Sequence, residues 1–75
     1  MSKEAIVGIS ARNQLKGKIT EIILGDVMAH VTVRVGQNLI ESVITRRSAD
    51  ELKLKKGDEV IVTVKATEVM IAKGA

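Results

Sequence analysis

The chain has no cysteine, so neither a disulfide nor a thiolate metal site can hold it together. It has no tryptophan, tyrosine or phenylalanine. The largest core-filling side chains are therefore missing, and so are the rings on which nucleic-acid bases stack. Histidine occurs once, as His30, in the middle of a strand pattern with no acidic neighbour in sequence. One histidine without cysteines provides no metal-ligand spacing and no nucleophile–base pair. No glycine-rich loop opens a helix to cradle phosphates. No apolar run approaches the length of a membrane span, and no signal peptide is visible. The few carboxylates fall at turn and cap positions. These absences argue against an enzyme, a resident cofactor and direct metal ligation, and for a soluble cytoplasmic protein that does not enter a membrane.

What is present is apolar and β-branched. In 75 residues, enough for one domain, 45% are apolar, chiefly Val, Ile and Leu. A domain this small buries a modest fraction of its surface and is marginal by itself. Much apolar surface on so thin a scaffold points to burial between subunits, so an obligate homo-oligomer is expected. The formal charge of +3 is small and scattered, which suits small anions held at discrete sites as well as it suits nucleic acid.

Along the chain, residues 1–8 read as a flexible or strand-extending leader and residues 9–75 as a single domain. A first strand is expected over 15–24, with Leu15, Gly17, Ile19, Glu21 and Ile23 on one face and Lys16, Lys18, Thr20, Ile22 and Leu24 on the other. Both faces turn apolar towards its end, as for a strand covered on two sides. Gly25-Asp26 reads as a tight turn. A second strand, 27–35, has the cleanest alternation: Val27, Ala29, Val31, Val33 and Val35 against Met28, His30, Thr32 and Arg34. After a turn at Gly36, a third strand is expected over 39–45. Ser48-Ala49-Asp50-Glu51 then reads as a capping box starting a short helix, 49–52. A fourth strand over 59–66 and a last one over 69–72 complete the pattern. Five short strands with one helical turn between the third and fourth predict an all-β chain, a small five-stranded OB-like Greek-key barrel.

One stretch stands out chemically. Ser10-Ala11-Arg12-Asn13-Gln14-Leu15-Lys16-Gly17 packs a hydroxyl, a guanidinium and two carboxamides into five positions at the mouth of the first strand. Backbone N–H groups and the Ser10 hydroxyl donate hydrogen bonds, and Arg12 adds a fixed, forked positive charge. Alone, such a run is commonly a solvated lead-in. Further donors stand at other strand ends: Thr45 closes the third strand, Ser48 follows with the outward N–H groups of the helix start, and Lys65 with Ala66 ends the fourth. The set is rich in donors and poor in acceptors, which suits a fully ionised oxyanion.

Three of these segments together resemble one known family. Ser10-Ala11-Arg12-Asn13-Gln14-Leu15-Lys16-Gly17-Lys18 is similar to the opening signature of the molbindins, the small Mop-type molybdate-binding proteins with a TOBE/OB-like fold. Ile44-Thr45-Arg46-Arg47-Ser48, with Glu51-Leu52-Lys53-Leu54 and Gly57, resembles their strand-to-helix segment. Val64-Lys65-Ala66-Thr67-Glu68-Val69-Met70 resembles their closing motif. The resemblance runs from Ile9 to Ala72 and implies a hexamer built as a trimer of dimers. It implies that molybdate or tungstate binds noncovalently between subunits, for storage and molybdenum homeostasis in the cytoplasm. One subunit would offer Ser10, the Ala11 N–H and Arg12, and its neighbour Thr45, Ser48, Lys65 and the Ala66 backbone. The resemblance also implies a second kind of site near a threefold axis, whose residues no motif of this chain marks. Arg46-Arg47 inserts two positive charges between Thr45 and Ser48, which are expected to face solvent. Two rival readings are a small nucleic-acid-binding barrel and a purely structural assembly domain; the absence of aromatics weighs against the first.

Overall fold

The alternating β-branched residues after Gly25 build the centre of the sheet. In the computed structural model, which describes residues 8–74, they form β2 (Met28–Val35). It pairs with β1 (Asn13–Leu24) on one side and β3 (Asn38–Thr45) on the other, while β4 (Glu59–Val64) lies beside the first half of β1. Every pairing is antiparallel, and the order is β3-β2-β1-β4. Three hairpin-connected strands and a fourth returning to the first make a Greek key. The all-β expectation with one short helix is met, and the leader expected over 1–8 lies outside the described residues except for Gly8.

The strand count differs from the expectation. Four strands pair among the described residues, and 69–72 do not join the sheet. The chain leaves β4 at Val64, makes a 3-10 turn over Ala66–Glu68, and runs on extended at Val69 (φ −93°, ψ 126°) with no ladder partner. The strand expected over 69–72 is therefore not formed: β-propensity favours extended backbone, but a strand also needs an edge to pair with.

The faces of β1 differ too. Ile19 opposes Val33 and Glu21 opposes Thr32, so Thr20 is an extra residue, a β-bulge. The bulge inverts the alternation. Ile19 before it and Ile22 and Leu24 after it all lie opposite the inward residues Val33, Val31 and Ala29. Lys18, Glu21 and Ile23 share the outward face. The late apolarity of both faces is thus a phase change, not burial on two sides. The Thr20 hydroxyl donates to the Thr32 carbonyl at 3.4 Å, and Ile19 exchanges backbone hydrogen bonds with Asp58 (2.9 Å) and Gly57 (2.8 Å), so the bulge is tied down from both flanks.

The core is small. Ile19, Val31 and Val33 form its buried centre, with Ile22, Val35, Ile44, Leu54, Val60 and Val62 around it. Gly17 lets β1 pass over this centre: a Cβ there would lie 2.5 Å from Val33 Cγ1 and 2.6 Å from the Arg34 carbonyl oxygen. Large apolar side chains stay exposed on the described chain, including Val27, Leu39, Val43 and Leu52.

The helix α1 spans Arg46–Glu51, earlier than expected, and Thr45 caps it rather than Ser48. The reason is conformational. A cap residue needs extended backbone with its side chain turned back to the first turn, and Thr45, at the end of β3, has φ −71° and ψ 148°. Its hydroxyl accepts from the Ser48 N–H at 3.0 Å. The helix closes with Lys53 in the left-handed region (φ 52°), after which Asp58 caps the turn by accepting from the Lys55 N–H at 3.0 Å.

Candidate functional site

The ladder between β1 and β4 ends at Asn13 opposite Val64. One step beyond it come Arg12 on one segment and Lys65 on the other. Register alone therefore brings together two residues 53 positions apart in sequence (65 − 12 = 53). The carboxamides of the signature pin this end. Asn13 Nδ2 donates to the Val64 carbonyl at 3.1 Å, and Gln14 Nε2 to the Ala11 carbonyl at 3.3 Å. Ala11 is buried at 7% exposure and anchors the segment, leaving Ser10 and Arg12 exposed on either side of it. Ser10, Ala11 and Arg12, with Ile9 and Gln14, line an open depression. Lys65 enters the 3-10 turn, its carbonyl accepting from the Glu68 N–H at 2.8 Å, and Ala66 opens that turn.

Neither Arg12 nor Lys65 has an ion-pair partner among the described residues. Two like charges set at the end of one ladder repel each other and attract an anion. Asn13 and Gln14 belong to this site as positioning residues, which the sequence reading did not assign. Their signal was there: two adjacent carboxamides beside the hydroxyl and the guanidinium.

Thr45 and Ser48 stand elsewhere. Thr45 opposes Met28, which follows the turn after Leu24, so it belongs to the opposite end of β1 from Asn13. The Thr45 hydroxyl donates to Ser48 Oγ at 2.9 Å while accepting from the Ser48 N–H, so the two side chains form one unit. Two of the N–H groups expected to point outward at the helix start are engaged within the chain: the Arg46 N–H donates to the Val27 carbonyl at 2.7 Å, and the Ser48 N–H to the Thr45 hydroxyl at 3.0 Å. Arg46 Nε reaches both Asp50 carboxylate oxygens (3.1 and 3.2 Å), and another guanidinium nitrogen of Arg46 donates to the Gly25 carbonyl at 3.1 Å. Arg47 pairs with Glu51 at 3.3 Å. Both arginines are thus engaged one turn along the helix rather than aimed at Thr45 and Ser48. Of the seven candidate residues, the fold joins Ser10, Ala11, Arg12, Lys65 and Ala66 at one end of β1, and Thr45 with Ser48 at the other.

His30 is not isolated. Its Nε2 lies 2.9 Å from Glu41 Oε1 across the β2–β3 ladder. Sequence adjacency could not reveal a carboxylate that only strand pairing supplies.

The chain as a whole is similar to known proteins. The TOBE domain profile matches residues 9–71. Molybdenum-pterin-binding protein 2 of Clostridium pasteurianum is 47% identical over 66 residues, covering 87% of this chain and 97% of that protein. A molybdate binding protein from Sporomusa ovata has a structure similar to this one, with a TM-score of 0.86 at 37% identity, covering 89% of this chain and all of that one. The cytoplasmic molybdate-binding protein ModG, in a structure with molybdate bound, is similar at a TM-score of 0.75 and 41% identity, covering 77% of this chain and 42% of that one.

Proposed function

The chain belongs to the TOBE domain family, among its Mop-type molbindins, and we propose that it binds molybdate or tungstate as the intact oxyanion. The observation that carries this reading is the pair Arg12 and Lys65. The fold sets these two cations at the end of one ladder with no carboxylate paired to either among the described residues.

A tetrahedral dianion gives up much hydration free energy on entering a protein, and hydrogen bonds and positive charge must replace it. Arg12 and Lys65 supply charge. The Ser10 hydroxyl and the backbone N–H groups of Ala11 and Ala66 supply directed donors, and the Thr45–Ser48 unit of a neighbouring copy supplies the Ser48 hydroxyl proton, with Thr45 donating to Ser48 behind it. Donors of this kind select an anion that only accepts. Hydrogen phosphate carries a proton that would meet no acceptor, which disfavours it. The role is binding and storage of the anion in the cytoplasm of the cell, not turnover. Assembly into a homo-oligomer, a hexamer by resemblance to the molbindins, would cover apolar side chains such as Val27, Leu39, Val43 and Leu52.

Isothermal titration calorimetry of the full chain with molybdate at neutral pH tests the reading. Saturable heat and a rise in melting temperature with molybdate are expected, since a ligand bound only by the native assembly stabilises it. No heat and no shift at millimolar molybdate or tungstate would remove it.

A further inference from the structure

Away from the start of β1, three charged residues meet in one cross-strand row. Lys18 lies directly opposite Arg34 on β2 and directly opposite Glu59 on β4. Like charges set across a ladder repel, so the Lys18–Arg34 step weakens the sheet where these three strands meet. Neither cation has an ion-pair partner among the described residues, and neither does Glu59. All three are exposed. They border a cavity of about 400 Å³ that Gly36, Ile61 and a further cation, Lys16, also line. That volume falls within the range of small-molecule pockets, about 300–1,000 Å³. Lys18 stands five residues along β1 from Asn13 (18 − 13 = 5), roughly 17 Å at the rise of a strand, so the row is separate from the pair Arg12 and Lys65.

We propose that this cavity is a second anion site, complete within one chain, for a phosphate group that brings a hydroxyl donor with it. Arg34 and Lys18 supply the charge, and the forked guanidinium of Arg34 matches two oxygens of one phosphate. Glu59 decides the selectivity. A carboxylate only accepts, so it repels an oxyanion that has no proton to give and takes a hydrogen bond from one that has. The cavity thus inverts the preference of the Arg12–Lys65 end, which offers cations and no carboxylate. Molybdate, tungstate and sulfate are fully ionised at neutral pH and meet Glu59 as a like charge. Hydrogen phosphate offers its own P–O–H. A small phosphate ester of a polyol offers a carbon-bound hydroxyl instead, and the volume beside Ile61 has room for its organic part. A bound phosphate also screens Lys18 from Arg34, so the ligand stabilises the fold. The site does not rest on the oxyanion reading, since it uses none of the residues assigned to that function.

Isothermal titration calorimetry of the full chain with inorganic phosphate, glycerol 3-phosphate and sulfate tests this, each with and without saturating molybdate. Inorganic phosphate or glycerol 3-phosphate should bind at one site per chain, about tenfold or more tighter than sulfate, and molybdate should not displace it. Tighter binding of glycerol 3-phosphate identifies the ester as the ligand; tighter or equal binding of inorganic phosphate identifies the free ion. Arg34→Gln should weaken phosphate binding by about tenfold or more, keep its β circular dichroism, and leave molybdate affinity within about twofold. Glu59→Gln, whose carboxamide donates as well as accepts, should erase the preference for phosphate over sulfate. A residue that merely held the strand would change the affinity for both anions alike, and that result overturns the role of Glu59. No saturable heat and no rise in melting temperature with either phosphate at millimolar concentration overturns the proposal. So does sulfate binding as tightly as phosphate, or molybdate displacing phosphate. The two functions fail separately. If phosphate binds and molybdate does not, this site stands and the oxyanion reading falls. If molybdate binds and phosphate does not, the oxyanion reading stands and this site falls.

Discussion

The two ends of β1 treat positive charge in opposite ways. At the helix end, Arg46 and Arg47 are each paired with a carboxylate one turn on, and the hydroxyls of Thr45 and Ser48 are paired with each other. At the strand-start end, Arg12 and Lys65 meet no carboxylate among the described residues, while neutral carboxamides hold the backbone beneath them. Charge count does not distinguish these regions, since each has two cations. What distinguishes them is whether the fold has already neutralised the charge. An i,i+4 pair on an exposed helix adds a few tenths of a kcal/mol to local order. Two cations at one ladder end with no carboxylate partner among the described residues create a demand for an anion.

The comparison is broken most directly at Lys65. Lys65→Ala should weaken molybdate binding by about 1.5–3 kcal/mol, the usual cost of losing a charge-assisted hydrogen bond, read by calorimetry. In the absence of anion the same change should leave the melting temperature unchanged or slightly raised, because it relieves repulsion from Arg12. A lowered melting temperature without anion would mean Lys65 is structural. Next in size is Gly17→Ala, which disturbs both ends at once through the strand that carries them. Its methyl would press into the Arg34 carbonyl and Val33, at a cost of about 1–3 kcal/mol of stability in chemical denaturation. Thr45→Ala removes the helix cap and should cost about 1 kcal/mol, unlike Lys65→Ala, whose effect appears only with ligand. Smallest is Arg47→Ala, within about 0.5 kcal/mol in stability and within about twofold in molybdate affinity. Sodium chloride sharpens the contrast: molybdate affinity should fall with added salt as the exposed cations are screened, while thermal stability without anion changes little.

Much of the architecture was legible in the residues. The alternation of β2 is strict and β-branched, so its apolar face could be named directly; Ala29, Val31 and Val33 are buried, while Val35 is half-buried and Val27, outside the strand, is exposed. Gly36 marked its hairpin; it has φ 62° and occupies the first position of a two-residue turn. The helix was legible as an element but not in its boundary, because Thr45 and Ser48 are both good caps and only the backbone angle at the end of β3 chooses between them. The bulge at Thr20 was not legible, since an apolar residue on each face of a strand reads the same for a doubly covered strand as for a strand that changes phase. The candidate residues stood out as motifs, but that the β1–β4 register sets Lys65 next to Arg12 within one chain was not legible, because the two are tens of residues apart.

From the residues alone follow the element types, the apolar faces and the donor-rich, acceptor-poor inventory, because these depend on side-chain chemistry and on periods of a few residues. Which donors stand together, which arginines are already neutralised, and which strand is left without an edge depend on pairing between segments tens of residues apart. Only the folded chain decides those, since a ladder aligns backbone hydrogen bonds without regard to distance along the sequence.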